Sequence, residues 1–147
     1  GPYLSHLAKL TEDSPSSKGL SSAVRFVGKI HDAERPLYYA LCDLFVMPCR
    51  QIGADVEGFG TVFLEAALFG KTSIGGQSGG IPEAILNGKT GIIIDPNNTG
   101  ALALTVVQLL RDDELLQTLG NNAKTRVLNE FTWDKQVQKL LQSISSP

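Results

Sequence analysis

Residues 57–70 read EGFGTVFLEAALFG, a glycine-containing loop that leads into a short apolar helix. Thr61 to Phe69 has the pattern of a buried helix, and Gly70 is typical of a helix end. The two acids of this stretch, Glu57 and Glu65, stand eight positions apart across the junction of loop and helix. Carboxylates placed in this way can accept hydrogen bonds from a ligand that carries many hydroxyl groups.

Two glycines shape the same junction. Gly58 and Gly60 permit a close approach of the backbone to a ligand and a positive φ. Gly60 and Thr61 fall near the N-terminal end of the predicted helix, where the helix dipole favours negative charge. The sequence therefore predicts a place where anionic ligand groups bind close to two carboxylates.

Around this junction, strand-like and helix-like segments alternate along the chain. The predicted strands are Ala23–Val27, Asp43–Met47, Lys71–Gly75 and Gly91–Ile94. The predicted helices are Ala33–Leu41, Thr61–Phe69, Pro82–Leu86, Thr99–Leu110, Asp113–Asn129 and Thr132–Ile144. Such alternation predicts an α/β fold of the Rossmann-like kind, with a doubly wound parallel sheet.

The first residues do not follow this alternation. Gly1-Pro2 leads directly into a predicted helix, Tyr3–Leu10, where a doubly wound domain normally opens with a strand. We expect a single domain over residues 1–147 that is truncated at its N-terminal side, the alternative being a fold that begins with a helix. The polar, serine-rich stretch Thr11–Ser22 is predicted to be a mobile loop.

Composition argues against several classes of function. The net charge is −2 and the 13 basic residues are scattered, which argues against a nucleic-acid partner. No apolar run approaches the roughly 20 residues of a spanning helix and no signal peptide is visible, so we expect a cytoplasmic location. Two cysteines and two histidines, at Cys42, Cys49, His6 and His31, do not have zinc-ligand spacing. We therefore predict no bound metal, and thiols that are free or buried.

Familiar phosphate-binding motifs are absent. Two Gly-Lys-Thr triplets begin at Gly70 and Gly88, but a Walker motif would need glycine where Glu65 and Glu83 stand. The glycine-rich stretch 75–80 lacks the G-x-G-x-x-G spacing of a dinucleotide site. That stretch follows a predicted strand, so it is expected at the carboxyl edge of the sheet, either as a ligand loop or as an ordinary turn.

Each acid also has an ordinary structural interpretation. Glu65 lies at the rim of the inward face of its helix and could be a solvated surface acid. Glu57 could simply be stabilised by the dipole of the helix that follows it. No Ser-His-Asp or Cys-His grouping stands out as a nucleophilic alternative.

Taken in order, the motifs resemble a known family. The residues Glu57-Gly58-Phe59-Gly60 with Glu65, then 79–83 (GGIPE) and 87–91 (NGKTG), are similar to the nucleotide-sugar-binding half of retaining glycosyltransferases of the GT-B fold. The resemblance is to glycosyltransferase family four, the large group that includes sucrose synthase, glycogen synthase and the phosphatidylinositol mannosyltransferases. It extends from Gly1-Pro2, at the turn after the family's first strand, to Phe131-Thr132-Trp133, at the start of its closing helix.

The resemblance implies roles for individual residues. Glu65 is expected to bind the ribose hydroxyls of the nucleotide, and Glu57 to face the transferred sugar as the catalytic, charge-stabilising residue. The backbone amides of Phe59 and Gly60 are expected to hold sugar hydroxyls or the phosphate. The remaining residues of the implied donor site are Lys29 and Ile30, which would border the base, together with Thr61, Gly79 and Gly80.

The same resemblance implies a reaction. A hexose would pass from a nucleotide diphosphate sugar, of the GDP-mannose or UDP-glucose type, to a lipid-linked or saccharide acceptor with retention of configuration, without a cofactor. The family's basic pair and its acceptor-binding domain lie upstream of this chain, so that domain is the expected partner and the chain alone is expected to be inactive. Through the missing half, the protein could also associate peripherally with the inner membrane.

Cys49 stands where many family members carry serine, a pattern associated with mannosyltransferases that act on lipid-linked acceptors.

Two alternatives remain open at this point. A non-catalytic Rossmann-like module for nucleotide binding or regulation is the main alternative to an enzyme. A flavodoxin-like receiver is disfavoured, because it would need an acidic cluster at the end of its first strand.

Overall fold

The computed structural model describes residues 3–12, 20–54 and 57–145. The chain divides into two compact units, Gly1–Pro36 and Leu37–Pro147. In chain order, the elements are α1 (Leu4–Glu12), α2 (Leu20–Ala23), α3 (Arg35–Leu41), β1 (Leu44–Met47), α4 (Thr61–Leu68), β2 (Thr72–Gly76), α5 (Ile81–Ala84), β3 (Ile92–Ile94), α6 (Thr99–Arg111), α7 (Asp113–Glu130) and α8 (Trp133–Ser145).

In the first unit, the prediction of a strand at Ala23–Val27 is wrong. Ala23 ends helix α2, and residues 24–28 belong to no strand. Val24, Phe26 and Val27 are 41 %, 43 % and 48 % exposed. An extended segment becomes a strand when a neighbour accepts its backbone hydrogen bonds, and within the described residues this segment has no such neighbour.

The second unit contains a parallel sheet of three strands in the order β1-β2-β3. Leu44 pairs with Thr72 at the start of β1, and Ile74 pairs with Ile92 where β2 meets β3. All three strands begin and end within one residue of the predicted bounds. The α/β fold with a parallel sheet is therefore confirmed, although the described part of the chain has three strands and not the predicted four.

The long C-terminal helices begin at residues suited to that position. The Asn98 side chain accepts a hydrogen bond from the Ala101 amide at 2.9 Å and caps α6. The Asp112 side chain does the same for α7, accepting from the Leu115 amide at 2.9 Å. Each cap satisfies a backbone donor that has no partner inside its helix, so the start of each helix is fixed by sequence.

Helices cover both faces of the central strand β2. A methyl group added at Gly75 would collide with Ile81 of α5 at 2.7 Å and would lie 3.3 Å from Phe63 of α4. The adjacent residue Ile74 is fully buried in a cluster with Leu109 of α6 and Leu119 of α7. Because successive residues of a strand face opposite sides of a sheet, α4 and α5 lie on one face and α6 and α7 on the other.

Other predictions near the N-terminus have mixed outcomes. Helix α1 confirms the predicted opening helix, extended to Glu12. The predicted loop Thr11–Ser22 is partly helical, since its first two residues end α1 and its last three lie in α2. Residues 13–19 and Gly1-Pro2 lie outside the described part of the chain.

Candidate functional site

The loop that contains Glu57 is joined to the glycine-rich loop after β2. The Gly80 amide donates to the carbonyl oxygen of Gly58 at 3.0 Å and to that of Glu57 at 3.3 Å. A methyl group added at Gly80 would lie 2.2 Å from the Gly58 oxygen. Because β1 and β2 are parallel, both loops leave the same carboxyl edge of the sheet, where α/β proteins bind ligands.

The Glu57 carboxylate bonds to the start of α4. Its Oε1 accepts a hydrogen bond from the Gly60 amide at 3.1 Å. Gly60 has φ 74° and ψ 54°, a left-handed conformation that glycine adopts without a steric penalty. The structure thus places the carboxylate at the positive end of the helix, in agreement with its ordinary interpretation. The Gly60 amide, expected to bind ligand, is already engaged by Glu57.

Glu65 lies one turn further along α4 and contacts a different element. Tyr39 of α3 donates from its hydroxyl to Glu65 Oε2 at 3.0 Å. The Tyr39 side chain is buried, and its ring lies edge-on to Phe45 at 5.6 Å between centroids and stacks on Phe69 at 6.0 Å. Glu65 is half-buried, so it is not a fully solvated surface acid.

On its other side, the Glu57 loop is supported by the C-terminal helices. The rings of Phe59 and Phe131 lie 5.7 Å apart. The Arg126 guanidinium lies 4.9 Å from the Phe131 ring centroid and donates to the carbonyl oxygens of Glu83 at 2.8 Å and Ala84 at 2.9 Å. Arg126 therefore contacts both the end of α5 and the Phe59–Phe131 pair that packs against the Glu57 loop.

An open cleft of about 620 Å³ lies beside this aromatic pair. Apolar side chains of the acidic loop and α5 line one part of the cleft, and charged side chains of α7 and α8 line another. Its lining includes Phe59, Pro82, Leu86, Arg126, Phe131 and Lys139. The cleft leaves the Phe59 side of the loop accessible to solvent.

A cysteine lies close to both loops. A methyl group added at Gly76, the last residue of β2, would lie 2.1 Å from the Cys49 carbonyl oxygen. Burial raises the pKa of the Cys49 thiol, and the negative charge of Glu57 raises that pKa further. Both effects favour the neutral thiol, which is less reactive than the thiolate.

The structure brings some of the predicted residues together and leaves others apart. Glu57, Phe59, Gly60 and the glycine pair 79–80 meet at the carboxyl edge, and Gly79 makes its turn with φ 53°. Thr61 and Glu65 lie on the first turns of α4. Lys29 is exposed and Ile30 half-buried, and both lie in the first unit, so their role beside the base stays a prediction.

Three residues that contact the site were not predicted as part of it. Tyr39 and Arg126 lie within predicted helices, Ala33–Leu41 and Asp113–Asn129, and were assigned no role in the site. The sequence offers no local signal for their partners, which lie 26 and 42 to 43 residues away along the chain. Phe131 belonged to a recognised motif, but its contact with Phe59 was not foreseen.

The described residues contain neither a metal-binding cluster nor a membrane-spanning helix. Within residues 3–12, 20–54 and 57–145, no three His, Cys, Asp or Glu side chains are grouped so that they could hold a metal ion. In the same ranges, no helix combines the length and the apolar character needed to cross a membrane.

Comparison with known proteins gives consistent results. Residues 7–126 match the family model described as glycosyl transferases group 1. The chain is 40 % identical, over 142 residues, to the GDP-mannose-dependent alpha-(1-6)-phosphatidylinositol monomannoside mannosyltransferase of Mycobacterium tuberculosis. That alignment covers 95 % of this chain and 36 % of the relative.

Two solved structures share the fold. Sucrose-phosphate synthase from Thermosynechococcus elongatus has a TM-score of 0.81 and 27 % identity, over 98 % of this chain and 35 % of that one. Anabaena HepE in complex with UDP and glucose has a TM-score of 0.80 and 26 % identity, over 99 % and 37 %. The chain thus spans little more than a third of the length of each. Both are GT-B glycosyltransferases, and this chain belongs to the family of group 1 glycosyl transferases.

Proposed function

We propose that the protein containing this chain transfers a hexose from a nucleotide diphosphate sugar to an acceptor, with retention of configuration. The chain forms the donor-binding part of that enzyme. The acceptor, a lipid-linked molecule or a saccharide, binds to a further domain of the same protein. The proposal includes no cofactor, and the charges that stabilise the leaving nucleotide diphosphate would come from the basic pair that the family resemblance implies upstream of this chain.

The names of the relatives support this class of donor. The mycobacterial relative is described as GDP-mannose-dependent, and the Anabaena structure contains UDP and glucose. We propose a donor of the GDP-mannose or UDP-glucose type for the present protein. The higher identity to the mannosyltransferase favours GDP-mannose.

The observation that carries the proposal is the junction of the Glu57 loop with Gly80 at the carboxyl edge of the sheet. The hydrogen bonds from the Gly80 amide fix the backbone that bears Glu57, and the start of α4 supplies a positive dipole end beside it. In the proposed complex, Glu57 stabilises the positive charge that develops on the sugar as the glycosidic bond to phosphate breaks.

The proposal includes further donor contacts. Glu65, one turn along α4, accepts hydrogen bonds from the two ribose hydroxyls. Phe59, Thr61, Gly79 and the Gly80 turn border the sugar and phosphates. The Gly60 amide already donates a hydrogen bond to Glu57, so Glu57 and the ligand compete for the same donor. Donor binding would therefore replace the bond to Glu57 with a bond to the ligand.

Nucleotide binding tests the proposal directly. Saturation-transfer NMR of the chain with GDP, UDP and ADP should show transfer to ribose and base protons of GDP or UDP. Glu65→Gln should weaken that signal, whereas Glu114→Gln, at an exposed acid in the first turn of α7, should not. The chain alone should bind without turning the donor over. Absence of binding to both GDP and UDP would contradict the proposed function, whether or not ADP binds.

A further inference from the structure

The hydrogen bond between Tyr39 and Glu65 joins two helices at the proposed donor site. The Tyr39 hydroxyl lies 3.0 Å from Glu65 Oε2, although the two residues are 26 positions apart in the chain. We propose that Tyr39 is a positioning residue, which orients the Glu65 carboxylate toward the vicinal hydroxyls of the donor ribose. This inference rests on the proposed function, because it specifies how one residue of that site is held.

The Tyr39 ring is itself held from two sides. It lies edge-on to Phe45 of β1, with an angle of 64° between the rings, and stacks on Phe69 with an angle of 24°. Phe45 in turn lies edge-on to Phe63 of α4, at 5.6 Å. Tyr39 is only 7 % exposed, so its hydroxyl cannot turn away from Glu65 without repacking these rings.

Orientation of Glu65 matters because a glutamate side chain has several rotatable bonds. A glutamate that samples many rotamers loses that freedom when it binds a diol, and the loss weakens the complex. A bond from a fixed phenol restricts the carboxylate before the ligand arrives. A carboxylate has lone pairs for about four hydrogen bonds, so one bond from Tyr39 is compatible with two from a diol.

An ordinary interpretation competes with this one. A buried phenol hydroxyl needs a hydrogen-bond partner, and Glu65 could serve only to satisfy it. In that case, loss of the hydroxyl would affect all nucleotides alike. If Tyr39 positions Glu65, removal of the Tyr39 hydroxyl should weaken the contact of Glu65 with the ribose hydroxyls. The fall in affinity should then be smaller for a nucleotide that lacks one of these hydroxyls.

The experiment uses the full-length protein that contains this chain. Isothermal titration calorimetry would measure the affinities of GDP and UDP, and those of their 2′-deoxy forms, for the wild type and Tyr39→Phe. Tyr38→Phe is the matched control, since Tyr38 is the adjacent residue on α3 and 45 % exposed. Both variants keep the ring, and thermal unfolding would verify that both are folded.

The expected result is a change in ribose discrimination. Tyr39→Phe should weaken binding of the preferred ribonucleotide about tenfold and reduce its advantage over the 2′-deoxy form at least about threefold. Tyr38→Phe should leave both quantities unchanged. Glu65→Gln should also reduce the discrimination, and adding Tyr39→Phe to Glu65→Gln should change little further, because the two residues act as a unit.

The outcomes separate this inference from the proposed function. If the wild type binds neither GDP nor UDP, the proposed function fails, and this inference fails with it. If the wild type and Glu65→Gln behave as expected but Tyr39→Phe keeps full discrimination, only the role of Tyr39 is overturned. The same holds if Tyr39→Phe weakens the ribose and deoxyribose forms equally, or if its effect persists in Glu65→Gln.

Discussion

The two acids of the site are held in different ways. Glu57 bonds to the amide of Gly60, three residues along the same loop, whereas Glu65 accepts a bond from Tyr39 on another helix. The first contact depends on a local backbone conformation, and the second on the packing of α3 against α4. The two acids should therefore respond to different substitutions, and the following predictions test that separation.

The largest effect is expected from Gly80→Ala, which acts on the Glu57 loop. The new methyl group would lie 2.2 Å from the Gly58 carbonyl oxygen and would force the two loops apart. We expect the free energy of unfolding to fall by about 2–4 kcal/mol. The new methyl group overpacks the junction, and the displaced loops lose the hydrogen bonds from the Gly80 amide to Glu57 and Gly58. Urea unfolding would measure the change.

Gly100→Ala is the control for this substitution. A methyl group added there has its nearest contact at 3.6 Å, with the Asn98 side chain, so it meets no clash. Its unfolding free energy should stay within about 0.5 kcal/mol of the wild type. If both variants lost the same unfolding free energy, the clash of the new methyl group with Gly58 would not be the cause of the loss in Gly80→Ala.

The second prediction concerns the kinetics of the full-length protein and rests on the proposed function. Glu65→Gln should raise the donor KM by about 10- to 100-fold with a smaller effect on kcat, because the ribose does not change during the reaction. Glu57→Gln should lower kcat chiefly, because charge develops on the sugar only as the bond breaks. Steady-state rates with varied donor and saturating acceptor would separate the two. If both variants raised KM and left kcat unchanged, the role of Glu57 would be wrong.

The smallest effect uses Cys49 as a reporter of Glu57. Glu57 raises the pKa of this thiol, and the thiolate is the form that reacts with alkylating reagents. Glu57→Gln removes the negative charge, so the pKa falls and the thiolate fraction rises. We expect alkylation of Cys49 by iodoacetamide near pH 8 to become about twofold faster.

Cys42 serves as the internal control for that measurement. Burial raises the pKa of its thiol as well, but the charges that act on it are those of Lys71 and Asp43. Its alkylation rate should be the same in the wild type and Glu57→Gln, as peptide mass spectrometry of each site would show. Faster alkylation of both cysteines would indicate loosening of the fold and not loss of one charge.

The parts of the fold that were predicted correctly depend on local signals. Apolar runs located β1, β2 and β3 within one residue, and Asp112, which caps α7, lies directly before the predicted start of that helix. Gly60, predicted to tolerate a positive φ, has φ 74°. Residues within a few positions of one another determine each of these features, so a single sequence is sufficient to predict them.

The features that were predicted wrongly or missed depend on distant partners. Residues 23–27 have the composition of a strand, but within the described residues no neighbour pairs with them. The contacts of Tyr39 with Glu65 and of Arg126 with α5 join residues that no periodicity relates. A pattern identifies which residues are apolar or charged, whereas the partner of each depends on how the elements pack.

The hydrogen bonds of Arg126 have a consequence for the order of folding. Helix α5 has four residues, too few to be stable alone, and Arg126 satisfies carbonyl oxygens at its end from more than 40 positions away. Closing a chain segment of that length costs entropy before any contact compensates it. We therefore expect the loop junction at Gly80 to become ordered only after α7 has docked, so that the proposed donor site is among the last parts of the domain to form.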